Sequence, residues 1–211
     1  HASLLPQYRG AAPINWAIIN GDKESGVTTF FLKHEIDTGD VIMQRKVEIT
    51  ETDDAGTLHD KLMFIGSETV VDTVLNIVRG EAVARTQASI FDGDLRPAPK
   101  IFRDTCRIDW NKGCEELYNF VRGLSPYPAA WTDLTDGEGN ITTIKVYETK
   151  KEICQVNESI GTILSDGKSY IKVAIADGYL HLTSLQIPGK KRMPVADLLR
   201  GFSIEGKKIA L

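Results

Sequence analysis

Residues 1–13 show no apolar period and are punctuated by Pro6, Gly10 and Pro13. They read as a loop whose last proline suits the first turn of a helix. That helix spans 14–19 and stops at Asn20-Gly21-Asp22. The β-branched and aromatic run 27–32 predicts a strand, Ile36-Asp37-Thr38-Gly39-Asp40 a turn, and 41–49 a second strand with looser alternation. Leu58, Leu62, Ile65, Val70, Val74 and Ile77 then fall near helical spacing. They predict a long apolar-faced helix over roughly 55–79, with Thr52, Asp53 or Asp54 as N-cap and Gly80 as its end.

The pattern then lapses. Residues 81–104 carry Gly93, Pro97 and Pro99 with little period and read as a connector. A short helix over 114–122, ending at Gly123, follows. From Ala130 onward short β-rich runs recur at 130–134, 141–148, 160–164, 169–175 and 179–187, divided by the turn signals Asp136-Gly137, Asp166-Gly167 and Asp177-Gly178. A short helix over about 194–200 precedes a last strand. Several short strands joined by tight turns suggest a small barrel or sandwich. The expected organisation is α/β over 1–85, a linker over 86–104, and an all-β domain over 105–211.

Composition narrows the class. With 42% hydrophobic and 26% charged residues the chain is an ordinary globular sequence. No run of about 18 apolar residues predicts a spanning helix. The chain begins at His1 and so does not speak to any targeting segment ahead of it. Cys106, Cys114 and Cys154 are odd in number and form no CxxC pair. They are expected to be reduced thiols of a cytoplasmic protein, with no metal site. Residues 1–90 hold 8 Lys and Arg against 13 Asp and Glu, whereas 91–211 hold 17 against 16. The first part is therefore ill suited to gripping nucleic acid over a broad face, and the second can do so only through local patches.

The candidate chemistry lies early. His1 sits at the start of a Gly/Pro-shaped loop, and Asp37 in a turn between two strands. A carboxylate beside an imidazole fixes its tautomer and raises its basicity, as a general base requires. Read as residues alone, this pairing is one possibility beside an unremarkable loop histidine and turn aspartate.

The strings HASLLPQYRGAAPINWAIINGD at 1–22 and EIDTGDVI at 35–42 resemble the signature of the 10-formyltetrahydrofolate-dependent formyltransferases. The resemblance implies that His1 and Asp37 are catalytic and that Ser3, Leu4, Leu5 and Pro6 line the folate pocket. It also implies an Asn two positions ahead of His1. The stretches Arg107-Ile108-Asp109-Trp110, Arg122-Gly123-Leu124-Ser125-Pro126, Gly161-Thr162-Ile163-Leu164 and Pro188-Gly189-Lys190-Lys191-Arg192-Met193 are similar to the C-terminal domain of methionyl-tRNA formyltransferases. The implied architecture is the second half of a Rossmann-like formyltransferase domain followed by an OB-like β-barrel. The implied donor is 10-formyltetrahydrofolate and the implied partner initiator methionyl-tRNA, with no metal, no membrane and a monomeric intact enzyme. Without the implied Asn and half-sheet, the 211 residues are expected to be a truncated fragment with little activity.

Lys190, Lys191 and Arg192 form one basic run and Lys207 and Lys208 another. These are candidates for tRNA phosphates, although solvated turns would read the same. Trp110, Tyr127 and Trp131 read as packing residues before stacking platforms. Arg9 is either functional in the folate loop or a brace on its backbone carbonyls. An amino-sugar-nucleotide formyltransferase, and a module that only binds tRNA, are the competing readings.

Overall fold

A computed structural model describes all residues from His1 to Leu211. The chain divides into two compact units, His1–Ile101 and Phe102–Leu211.

In the first unit, helix α1 (Pro13–Ile19) starts on its proline, whose missing N–H costs nothing there. Strands β1 (Glu24–Phe30) and β2 (Val41–Glu48) pair antiparallel. Helix α2 (Ala55–Val78) is capped by Asp54, whose side chain accepts from the Thr57 N–H while the Thr57 hydroxyl accepts from the Asp54 N–H. This reciprocal pairing satisfies two otherwise orphaned donors. Tyr8, Ala17, Ile18, Val27, Ile49, Leu58, Leu62 and Ala98 form the core.

The face that α2 buries differs from the expected one. Leu58 and Leu62 are buried, but Thr69 and Thr73 continue the buried stripe, while Val70, Val74 and Ile77 are 53%, 52% and 44% exposed. The threonines can be buried because each hydroxyl donates to the carbonyl four residues back, and Thr73 also meets Thr29 of β1 at 2.8 Å.

The stretch expected as a linker also differs. Residues 85–98 lie across the first unit as a strap. Arg85 and Val41 exchange both backbone bonds, the four-residue turn of helix α3 (Gln87–Ile90) follows, and Ala98 pairs with the loop at Arg9, Ala11 and Ala12. Gly10 permits that approach, since a Cβ there would lie 2.4 Å from the Ala98 carbonyl oxygen. The division between units falls after Ile101.

The second unit opens with a 3₁₀ turn (Asp104–Cys106) and helix α4 (Cys114–Leu124), which runs through Gly123 rather than ending there. Strands β3 (Ala130–Thr135), β4 (Ile141–Ile153), β5 (Ile163–Ser165), β6 (Ile171–Ile175), β7 (Gly178–Gln186) and β9 (Lys208–Ile209) run in the spatial order β5-β6-β7-β4-β3-β9. The two-residue strand β8 (Met193–Pro194), not evident from the sequence, pairs with β7 ahead of helix α5 (Val195–Leu199). All pairings between these strands are antiparallel. The Ile209 N–H reaches the Gly161 carbonyl at 3.0 Å and so draws the two outer edges together into a nearly closed barrel. Period-two alternation puts Leu180 and Leu182 inside. The phase slips at Ser184 and Leu185, opposite an irregularity in β4 at Glu148.

Candidate active site

The loop at 1–8 is built around Thr28 of β1, which is fully buried. Its hydroxyl donates to the Ser3 carbonyl at 2.6 Å and accepts from the Leu5 N–H at 3.1 Å and from Gln44 Nε2 at 2.9 Å. The Thr28 backbone bonds His1 in both directions at 2.9 Å: the His1 amino group donates to the Thr28 carbonyl, and the Thr28 N–H to the His1 carbonyl.

The turn after β1 presents Asp37. Its φ is 55°, in the left-handed region that costs an L-residue about 1–2 kcal/mol, though Asp tolerates it better than most. Gly39 lets the turn close tightly, since a Cβ there would sit 1.6 Å from the Phe31 carbonyl oxygen. Asp37 Oδ2 accepts from the Gly10 N–H at 3.0 Å and lies 3.6 Å from His1 Nδ1. On the other side of the ring, His1 Nε2 is 2.9 Å from the Tyr8 carbonyl oxygen. A carbonyl only accepts, so Nε2 carries a hydrogen and Nδ1 is the nitrogen turned to the carboxylate. Side-chain exposures of 10% and 17% shield the pair without sealing it. An imidazole and a carboxylate so placed can orient each other and pass a proton to or from a reacting amine, directly or through water.

The remaining residues expected here play two parts, and Leu5 shares in both. Ser3 and Leu5 are 0% and 1% exposed, and the Ser3 hydroxyl is spent on the Gln7 carbonyl at 2.7 Å. They shape the loop that carries His1. Leu4, Leu5 and Pro6 border a cleft of about 580 Å³ that neither His1 nor Asp37 borders. His1 instead borders a concavity of about 330 Å³ with Thr28, Thr29 and Leu62.

Behind the loop, the Tyr8 hydroxyl donates to Asp22 at 2.7 Å, and Arg96 grips the same carboxylate at 2.7 and 3.0 Å while lying 4.9 Å over the Tyr8 ring. Burial pushes the Tyr8 phenol well above its ordinary range, and Asp22 adds to that. Arg9 is a brace, but on a side chain: its Nε and Nη2 donate to Gln87 Oε1 at 3.0 and 2.6 Å. Gln87, only 4% exposed, also donates from Nε2 to the Asp37 and Gly39 carbonyls at 2.8 and 2.9 Å. No motif or period in the sequence marks it.

In the second unit, Lys190, Lys191 and Lys208 are exposed. Arg192 bonds Glu148 and Ser184 and covers the Tyr147 ring at 4.6 Å. Lys207 donates to the Ser203 carbonyl at 2.9 Å and lies over Phe202. Trp110 packs in the core with its Nε1–H on Thr132, and Tyr127 is 83% exposed. The guanidinium groups of Arg103 and Arg107 both lie over Trp131, at 5.4 and 5.6 Å. Nothing in the sequence singles out either arginine for that place.

Comparison with known proteins gives a consistent picture. A family model described as "Formyl transferase" matches residues 1–74, and one described as "Formyl transferase, C-terminal domain" matches 100–203. The chain is 56% identical over 204 residues to a methionyl-tRNA formyltransferase of Phocaeicola vulgatus, covering 96% of this chain and 63% of that protein. It is 49% identical over 209 residues to one of Flavobacterium johnsoniae, covering 98% and 65%. The chain thus spans under two thirds of the length of these relatives. Among solved structures, HypX from Aquifex aeolicus in complex with tetrahydrofolic acid superposes with a TM-score of 0.63 at 20% identity, covering 94% of this chain and 33% of that one. An N-formyltransferase from Helicobacter canadensis, in complex with folinic acid and dTDP-3-aminofucose, gives 0.63 at 20%, covering 85% and 62%. At that identity the likeness is one of fold.

Proposed function

Because the chain belongs to the formyl transferase family, we propose that it carries the His–Asp half of the catalytic site of an enzyme that moves the formyl group of 10-formyltetrahydrofolate onto the amino group of initiator methionyl-tRNA. The observation that carries this reading is the 3.6 Å approach of His1 Nδ1 to Asp37 Oδ2 within a loop and turn held rigid from several sides.

In the proposed reaction a neutral amine attacks the formyl carbon. The carbonyl oxygen takes on negative charge, the amine loses a proton, and the bond to N10 of the folate breaks as N10 takes up a proton and the formyl carbonyl re-forms. With its Nε2 hydrogen held by the Tyr8 carbonyl, the His1 ring turns Nδ1 toward Asp37, where the imidazole can relay a proton. Asp37 holds that ring and offers its carboxylate to the departing proton. The second unit supplies exposed cations for the phosphates of the acceptor.

The 211 residues by themselves are proposed to turn over slowly, since the family resemblance puts an oxyanion donor, an Asn, ahead of His1. The test is a formyl-transfer assay of this chain beside the Phocaeicola vulgatus relative. The chain is expected to work at under about a hundredth of the relative's rate. Replacing the relative's aspartate that aligns with Asp37 by Asn is expected to cost it about 10²–10⁴-fold in kcat/KM. Undiminished transfer by that variant, or transfer by this chain at the relative's rate, would refute the proposal.

A further inference from the structure

Asp37 sits on backbone that its own chemistry disfavours, so something must hold it there. Within the turn, the Thr38 hydroxyl bonds the Glu35 carbonyl and the Phe31 N–H bonds the Asp40 carbonyl. Neither bond touches the carbonyls of Asp37 and Gly39. Those two oxygens are taken together by Gln87 Nε2, at 2.8 and 2.9 Å. Gln87 is delivered by the strap, whose Arg85 pairs with Val41 at the foot of the turn. Its amide oxygen is held in turn by the fork of Arg9, which neighbours Gly10, the residue whose N–H bonds the Asp37 carboxylate. All the amide's strong hydrogen-bonding directions are thereby engaged, at a side chain only 4% exposed.

We propose that Gln87 is the positioning residue for the candidate reacting pair: its single side-chain amide clamps the strained turn and so keeps the Asp37 carboxylate against His1. Released from the clamp, Asp37 can relax to right-handed backbone and carry its carboxylate away from the imidazole. The inference rests on reading His1 and Asp37 as the reacting pair, but its test reads geometry rather than turnover. A chain with coupled signals and no formyl transfer would sink that reading alone.

The experiment uses the whole 211-residue chain labelled with ¹⁵N and ¹³C. Asp37→Asn sets the scale, through the change it causes in the His1 ring resonances. Gln87→Glu keeps the shape and the acceptor for Arg9 but removes both donors; Gln87→Met removes them without adding charge. Both are expected to move the His1 ring resonances most of the way to the Asp37→Asn values and the Asp37 Cα and Cβ resonances toward right-handed backbone. Arg9→Met, which leaves the donors in place, is expected to move them by less than half as much. Folded Gln87 variants with unchanged His1 and Asp37 resonances overturn the proposal. Should they fold poorly, melting temperatures decide it. Glycine removes at the outset the strain that the parent recovers when its turn is released, so Gln87→Met is expected to cost clearly more in an Asp37→Gly background than in the parent. An equal cost in both backgrounds overturns the proposal as well.

Discussion

The two units solve the burial of apolar surface in opposite ways. The second closes a sheet on itself and lays α4 and α5 over it. Only Phe102, Tyr127, Ile141, Ile153 and Leu211 remain as large exposed apolar side chains. The first has a two-stranded sheet and one long helix, and along the outer side of α2 it exposes Met63, Phe64, Val70, Val71, Val74, Leu75, Ile77 and Val78. A patch of that extent is unusual for a self-sufficient domain. The lesson is that the candidate site sits on the less self-sufficient unit, where a two-stranded ribbon is marginal without further packing. Its site is therefore held mainly by hydrogen bonds from the strap and the loop.

The largest expected effect comes from separating the units. Residues 102–211 expressed alone are expected to unfold in a single cooperative urea transition, whereas 1–101 alone should bind a hydrophobic dye and self-associate. A sharp transition for the isolated first unit, seen by circular dichroism and sedimentation, would erase the contrast. Next come single truncations. Leu182→Ala in the barrel core should cost about 2–5 kcal/mol in urea melts. Val74→Ala on the open face of α2 should stay within about 0.5 kcal/mol. Equal costs would mean that the α2 face is covered in solution.

A smaller effect concerns pH. Burial pushes the Asp53 carboxyl up, but bonds from Lys61, Thr50 and Thr57 outweigh it and hold the group below its usual range. Its contribution to stability is therefore present above the ordinary carboxylate range, from about pH 5 upward, and is lost as pH falls through the lower folded value. Asp53→Asn should lower the melting temperature at pH 7 by a few degrees, about the effect of 1 kcal/mol. It should also flatten the melting curve's dependence on pH between about 5 and 3. A parallel downward displacement at every pH would rule out the linkage. The smallest effect is expected at the basic turn. Removing Lys190 and Lys191 together should weaken tRNA binding by the second unit and make its salt dependence shallower, by about one in the log–log slope for each phosphate left unneutralised. An unchanged slope in filter binding would move the nucleic-acid interface elsewhere, with the Arg103–Trp131–Arg107 stack the next place to look.

Much of this is legible in one dimension. The proline at α1, the Asp54 cap and the Asp-Gly turns at 136–137, 166–167 and 177–178 each act within a few residues, and the elements they bound lie within a few positions of where local pattern puts them. His1 and Asp37 are legible through motif strings. Gln87 is not, because its three partners lie 48 to 78 positions away and its own neighbourhood has no period. The stretch at 86–104 reads as a linker for the same reason: its bonds to the loop at 9–12, and those of Arg85 beside it to Val41, leave no local trace. That the Ser3 hydroxyl is already spent on the Gln7 carbonyl is equally invisible in the order of residues.

Local propensity and spacing determined the elements, the break in texture between the two halves and the residue types available for chemistry, since those are set by backbone sterics and side-chain period over a turn or two. Tertiary structure alone decided which side of α2 is buried, that the barrel nearly closes through Ile209 and Gly161, and that a carboxylate on strained backbone is kept within reach of an imidazole by a distant amide. Those outcomes depend on which groups satisfy one another across long separations, and long-range hydrogen bonding leaves no period along the chain.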